Sequence, residues 1–153
     1  MKNPITRPSF ARMLAVGAAL VGTAGQAKAA PVNHHISFHV DNNDPATMNL
    51  TLNNISNVAT FYSGIGETID IEVVAYGPGL HMLRDDTSPV KDRLASIKQS
   101  IPDVVFSACN VTKTAMEKAE GHPIALVRQA RIVPAGVVRL IQLHEAGWAY
   151  IKP

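Results

Sequence analysis

Cysteine is almost missing from this sequence, with Cys109 as its one representative among 153 residues. A single cysteine cannot form an intramolecular disulfide, which excludes the disulfide frameworks typical of small secreted domains. A lone cysteine indicates instead either pairing between molecules or a free thiol, which is reactive or simply packed in the core. The placement of Cys109 in the fold therefore decides how its chemistry is interpreted.

Charged residues are also few, and several ligand-binding motifs are absent. Charged residues make up 17% of the chain and hydrophobic residues 46%, a composition typical of a globular domain. No cluster of Lys and Arg is present, so we expect no nucleic-acid partner. No Walker-type lysine motif occurs, and Gly77-Pro78-Gly79 lacks the third glycine of a dinucleotide fingerprint. No serine stands in a nucleophile elbow. We therefore expect no nucleotide cofactor and no Ser-His-Asp hydrolase.

The first residues have the pattern of a signal peptide. Lys2, Arg7 and Arg12 precede an uncharged run over 13–26, and Ala27-Lys28-Ala29 fits a small-x-small cleavage site. The run is too short and too rich in Gly and Ala for a spanning helix. We predict cleavage after Ala29, export to the periplasm and a single domain over 30–153 with no stable membrane anchor. That domain has ten basic and twelve acidic side chains, a net charge of −2.

Hydrophobic periodicity in the mature part alternates between strands and helices. Period-two alternation or a short apolar run predicts each strand, and apolar spacing of three and four predicts each helix. The predicted strands are 36–40, 68–76, 104–108, 131–133 and 148–152, and the predicted helices begin at Pro45, Pro89, about Val111 and Gly136. Apolar stripes are expected on these helices, including Val137, Leu140, Ile141 and His144 on the last one. This order predicts an α/β fold with a parallel sheet covered on both faces.

Cys109 falls where the third predicted strand ends and the next helix begins. Ligands of open parallel sheets bind at the carboxyl ends of the strands, so this position lies on the expected functional rim. Unpaired amides and the helix dipole favour a thiolate there. Placement alone favours an inert, packed thiol over a reactive one, because cysteine is among the most buried residue types.

The histidines give a weaker signal. His34, His35 and His39 are close in sequence, but alternation along a strand points His34 away from the other two. No matching Cys or carboxylate spacing accompanies them, so we predict no metal site. His81 follows the turn at Gly79 and lies near the expected rim, either as a pocket residue or as an ordinary surface histidine.

Three blocks of the sequence, taken together, resemble the DsrE/DsrF-like family. They are residues 71–80 (IEVVAYGPGL), residues 106–110 (FSACN), and the tail comprising 134–140 (PAGVVRL) and 145–151 (EAGWAYI). The resemblance implies a three-layer α/β/α sandwich on a five-stranded, mainly parallel sheet, usually assembled into homo-oligomers. Members of this family take part in sulfur oxidation or sulfur relay, and Cys109 matches the cysteine that carries the persulfide.

Two hypotheses follow. In the first, the protein is a sulfurtransferase-like carrier of sulfane sulfur on Cys109, with an unknown sulfur donor and acceptor and no cofactor. In the second, it is a non-catalytic oligomeric binding module with an inert cysteine. The residues expected to shape a pocket beside Cys109 are Asn42, Tyr76, Gly77, Gly79, His81, Asn110, Pro134 and Gly136.

Overall fold

Five strands and four α-helices alternate along residues 32–153, the part of the chain that the computed structural model describes. The predicted signal peptide, 1–29, lies outside the described residues. The strands are β1 (Asn33–Val40), β2 (Thr68–Ala75), β3 (Val105–Cys109), β4 (Ala130–Val133) and β5 (Ala149–Ile151). The α-helices are α1 (Pro45–Gly64), α2 (Lys91–Ser100), α3 (Asn110–Glu120) and α4 (Gly136–Glu145). A 3₁₀ helix, Gly77–Leu83, follows β2 where the sequence predicts only a loop.

The strands form one sheet in the order β4-β3-β2-β1-β5, and every pairing is parallel. From β1 the chain adds β2, β3 and β4 on one side and then crosses back to place β5 beside β1. Because crossovers between parallel strands are right-handed, a reversal of direction puts the last helix on the opposite face of the sheet. The three-layer α/β/α sandwich is confirmed, and the sheet is wholly parallel.

The larger core lies on the face covered by α1, α2 and the 3₁₀ helix. Val73 and Ala75 of β2 point into it, whereas Val74 points to the other face and packs against Leu140 and Leu143 of α4. This alternation follows from the two-residue period of a strand. Each face of the central strands is therefore buried, as a sheet between two helical layers requires.

The start of α1 was predicted correctly and has a clear cause. Asp44 is the N-cap, and its carboxylate accepts hydrogen bonds from the amides of Ala46 at 3.0 Å and Thr47 at 3.2 Å. Pro45 occupies the first helical position, where its missing N–H costs nothing. The helix buries Met48, Leu52 and Ile55 against the sheet.

The expected apolar stripe of α4 is wrong in part. The helix buries Gly136, Leu140 and Leu143, whereas Val137 and Ile141 are about half exposed and His144 is exposed. The physical reason is that apolar residues occur around most of this helix, so periodicity alone does not select the face that meets the sheet. Gly136 has no side chain, which lets the start of the helix lie directly against Tyr76, the residue after β2.

No helix within residues 32–153 combines the length and the apolar character needed to cross a membrane.

Candidate functional site

Cys109 ends β3 and is also the N-cap of α3. Its sulfur accepts a hydrogen bond from the amide of Thr112 at 3.5 Å. The Thr112 hydroxyl and the amides of Gly136 and Val111 lie around the sulfur and favour its charged form. First-turn amides of a helix lack backbone partners, so a cap atom that accepts from them is stabilised, most of all when it is charged.

These contacts decide the protonation of the thiol. Burial raises the pKa of Cys109, but the hydrogen bonds from Thr112, Gly136 and Val111 outweigh burial and hold the pKa below its ordinary value. Hydrogen bonds that favour the charged form act in this direction because they are stronger to the thiolate than to the neutral thiol. The site therefore favours the anion, the nucleophilic form of cysteine.

Two loops bring the other donors to the sulfur. Gly77 has a φ of 53°, a left-handed conformation that glycine adopts without strain, and its amide donates to the Thr112 hydroxyl oxygen at 2.9 Å. Gly136 begins α4 directly against Tyr76, where a Cβ atom would lie 2.8 Å from the Tyr76 side chain. Glycine at these two positions thus lets the segments that follow β2 and β4 pack close to Cys109.

A second group of polar residues lies at the ends of β1 and β5. His39 is 6% exposed, stacks on Tyr76 with ring centroids 4.7 Å apart, and has its Nδ1 2.7 Å from the Tyr150 hydroxyl. Its Nε2 is buried without a hydrogen-bond partner, 3.7 Å from the Asp41 carboxylate. Burial lowers the pKa of His39, and Asp41 offsets this only in part. His39 is thus neutral at neutral pH and shares a hydrogen bond with the Tyr150 hydroxyl through Nδ1.

Lys152 follows β5 and lies in the same corner of the structure, defined by His39, Asp41 and Tyr150. Its ammonium is 2.6 Å from the Asp41 carboxylate, and this hydrogen bond lowers the pKa of Asp41 and raises that of Lys152. Tyr76 lies between this corner and Cys109, and burial raises its pKa, with Asp41 and Tyr150 adding to the rise. The phenol of Tyr76 therefore stays protonated and able to donate a hydrogen bond.

The predicted pocket residues divide into two groups. Tyr76, Gly77 and Gly136 surround Cys109 through the contacts described above. Gly79 is buried behind them, where a Cβ atom would lie 2.2 Å from the Val40 carbonyl oxygen.

The other predicted residues have different surroundings. His81 is turned to Thr87, with its Nδ1 2.8 Å from the hydroxyl oxygen. Asn42 and Asn110 are exposed. Pro134 is exposed and lines a cleft between β4 and α4. None of these four is among the groups that donate to the Cys109 sulfur.

Sequence reasoning missed Asp41, Tyr150 and Lys152 as neighbours of the site. Their assembly depends on the pairing of β5 with β1, in which Ser37 pairs with Tyr150, 113 positions further along the chain. The one signal available in the sequence was the strand-like alternation that places His39 on the same face as Ser37.

Other parts of the described structure carry less chemistry. A groove of about 730 Å³ lies at the opposite edge, where Asn33 and Thr68 begin β1 and β2. Parallel sheets bind ligands at the carboxyl ends of their strands, so the Cys109 edge is the stronger candidate. Among residues 32–153, no group of three or more His, Cys, Asp or Glu side chains is arranged to hold a metal ion.

Comparison with known proteins gives a relative of known structure. No protein-family model matches the chain, and a search of curated proteins found no match. The structure of MTH1491, a protein of unknown function from Methanobacterium thermoautotrophicum, is 30% identical with a TM-score of 0.66. The match covers 78% of this chain and 99% of MTH1491. The chain belongs to the same family as MTH1491. This membership supports the fold and, because the function of MTH1491 is unknown, carries no activity with it.

Proposed function

We propose that the protein is a sulfur-relay protein that carries sulfane sulfur as a persulfide on Cys109. The observation that carries this proposal is the place of the one cysteine of the chain as N-cap of α3, where its sulfur accepts from the Thr112 amide at 3.5 Å. The Thr112 hydroxyl and the amides of Gly136 and Val111 add to the stabilisation of its charged form. The resemblance of three sequence blocks to the DsrE/DsrF-like family adds the sulfur chemistry, because a stabilised thiolate alone specifies no substrate.

The transfer step is a thiolate attack on a persulfide. The Cys109 thiolate attacks the outer sulfur of a donor R–S–SH, the donor S–S bond breaks, and the donor leaves as the thiolate R–S⁻. Cys109 then bears –S–SH, which loses its proton to become –S–S⁻. An acceptor thiolate attacks the outer sulfur in turn and releases Cys109 as a thiolate. The sulfane sulfur moves without net oxidation or reduction, so no redox cofactor is required.

The donors around Cys109 have two roles in this cycle. Before transfer they stabilise the attacking thiolate, which raises the fraction of nucleophile at neutral pH. When the acceptor attacks, they stabilise the same anion as the leaving group, and a leaving thiol of lower pKa departs faster. The hydroxyl of Thr112 and the amide of Gly136 thus act in both directions of the relay.

A second candidate function is an oligomeric binding module in which Cys109 is inert. The observation that favours it is burial, because Cys109 is only 4% exposed. Under this alternative the hydrogen bonds to sulfur cap α3 and serve folding only. Whether a sulfur-donating molecule can reach Cys109 therefore separates the two candidates more sharply than the pKa of the thiol does.

The rate of alkylation by iodoacetamide as a function of pH tests the proposal. Because the chain has one cysteine, every alkylation event reports Cys109. The proposal expects reaction of the native protein with a midpoint below about 8.5, the ordinary value for a free cysteine. A thiol that reacts only after denaturation would support the binding module, and Cys109→Ser defines the background.

Self-association is proposed from the exposed apolar surface of α4 and its surroundings. Val137 and Ile141 of α4 are each about half exposed, as are Tyr150 and Ile151 of β5. Exposed large apolar side chains in this number are typical of protein interfaces. We infer that the mature protein is a homo-oligomer, and light scattering at micromolar concentration that gives a monomer mass would contradict this.

Export is proposed from the N-terminal pattern over 1–29. We expect protein recovered from the cell envelope to start after Ala29, and intact-mass analysis measures this directly. Retention of Met1 on exported protein would contradict cleavage.

A further inference from the structure

A buried carboxylate at the centre of the sheet holds two arginines. Glu72 lies in the middle of β2 on the α4 face and is 1% exposed. It accepts hydrogen bonds from Ser107 at 2.6 Å, from Arg131 at 2.9 Å, and from Nε and Nη2 of Arg139 at 2.8 and 2.7 Å. One arginine is sufficient to neutralise one carboxylate. The group of two arginines and Glu72 therefore has a net positive charge.

The two guanidinium groups are fixed in place but incompletely used. Arg131 also donates from Nε to the Ser107 hydroxyl at 3.1 Å. In residues 32–153, both arginines bond through Nε and Nη2, so the Nη1 groups have no protein partner there. The Arg131 and Arg139 side chains are 49% and 28% exposed. Their free donors are thus held at the surface without the loss of side-chain entropy that a mobile arginine undergoes on binding.

A cleft opens beside these free donors. It has a volume of about 280 Å³ and lies between β4 and the first two turns of α4. Arg131, Arg139 and Gln142 supply its polar surface, and Ile132 and Val138 are among its apolar lining residues. None of the described residues that line it is acidic. A concave site with a few converging polar groups on an apolar wall is the usual form of a small-molecule site.

We propose that this cleft binds a small organic oxyanion, with its carboxylate or phosphate on Arg131 and Arg139 and a short apolar portion against Ile132 and Val138. Arginine is suited to this role because its planar fork matches both oxyanions. Glu72 is a positioning residue: it aims the two guanidinium groups and does not touch the ligand. The site is distinct from Cys109 and does not depend on the sulfur-relay proposal.

The hydrogen bonds from Arg139, Ser107 and Arg131 overcome burial and hold the pKa of Glu72 below its ordinary value. The carboxylate is therefore ionised at neutral pH and keeps both arginines in place. A network that served only to bury Glu72 would need neither the second cation nor the open donors beside a cleft.

The test is a titration followed by amide chemical shifts in NMR, at constant ionic strength in chloride. The probes are butyrate and inorganic phosphate. Binding is expected to give saturable shifts at Val133, Ala135 and Val138. Tighter binding of butyrate supports a carboxylate with an apolar chain, and tighter binding of phosphate supports a phosphate ligand. Absence of saturable shifts with both probes would overturn the proposal.

Three variants make the result specific. Gln142→Glu places a carboxylate in the cleft at a residue that makes no hydrogen bond to Glu72, and we expect it to weaken binding by at least about tenfold. Arg131→Gln removes one charge-assisted donor and is expected to weaken binding by about tenfold, whereas Glu72 keeps Arg139. The matched control is Arg128→Gln, which removes an exposed charge outside the cleft lining. If Arg128→Gln weakens binding as much as Gln142→Glu, the attraction is non-specific and the proposal is wrong.

Discussion

Replacing Thr112 with valine is expected to raise the pKa of Cys109 and slow its reactions at neutral pH. The substitution keeps the shape and the amide of residue 112 but removes the hydroxyl, which favours the charged form of the sulfur. A hydrogen bond to a charged group contributes about 1.5–3 kcal/mol. Losing it lowers the thiolate population by about tenfold or more, since 1.36 kcal/mol corresponds to one pKa unit.

The assay is the rate constant of alkylation at several pH values, with the ultraviolet absorbance of the thiolate as a second readout. Thr112→Ser is the restoring variant, because serine keeps both the donor to Cys109 and the acceptor for the Gly77 amide. Thr114→Val is the matched control, because Thr114 is exposed on the same helix. If Thr112→Val reacts as fast as the wild type at neutral pH, the hydroxyl does not stabilise the thiolate and the reasoning fails.

Three further predictions concern stability and assembly. Glu72→Gln should lower the free energy of unfolding by about 1–3 kcal/mol at neutral pH, from lost hydrogen bonds to charged groups. The folded state lowers the pKa of Glu72, so its contribution to stability is present above the unfolded pKa of about 4.3 and is lost as pH falls through the folded pKa. Urea titrations at several pH values should therefore show the free energies of unfolding of wild type and Glu72→Gln converging in acid. A difference in free energy of unfolding that does not change with pH would contradict this. Gly79→Ala should destabilise the protein by about 1–3 kcal/mol or more, because the new Cβ would lie 2.2 Å from the Val40 oxygen. The control Gly64→Ala has open space around its Cβ and should be neutral or stabilising. Equal melting temperatures for the two variants would show that this close contact does not matter. Ile141→Glu should reduce the mass measured by light scattering toward that of a monomer without loss of stability, and an unchanged oligomer mass would show that this face of α4 is not an interface.

Local signals were sufficient to predict the order of strands and helices. The alternation of Ile36, Phe38 and Val40 and the Asp44-Pro45 helix start depend on a few neighbouring residues, and the structure confirms both. The position of Cys109 between a buried strand and a helix was also predictable, because a continuous apolar run precedes it. These features need no information about the rest of the chain.

Features that depend on distant pairs were not predictable in the same way. Glu72 lies 59 positions from Arg131 and 67 from Arg139, and only the sheet order brings them together. Glu72 is a charged residue inside an apolar strand, and nothing in the neighbouring sequence identifies its partners. Likewise, Tyr150 reaches His39 because β5 returns to the side of β1, which depends on the reversed crossover.

The buried face of α4 and the 3₁₀ helix were not predicted, because the local sequence at each is compatible with more than one structure. Val137 and Ile141 have the spacing of a buried stripe, yet Leu140 and Leu143 fill the sheet face instead. Gly77-Pro78-Gly79 is a turn signal, and turn residues do not specify whether the chain continues as a loop or as a 3₁₀ helix. In both cases a glycine makes a close tertiary contact that the local sequence does not specify, Gly136 with Tyr76 and Gly79 with Val40.

The measurement that tests the central claim most directly is intact-mass spectrometry of the native protein after incubation with a small-molecule persulfide donor. The account predicts a gain of the mass of one sulfur atom on the wild-type chain, reversed by a thiol acceptor and absent in Cys109→Ser, with a slower gain in Thr112→Val. A native wild-type protein that gains no sulfur, but does so once unfolded, would show that Cys109 is an inert packed thiol and would contradict the proposed relay.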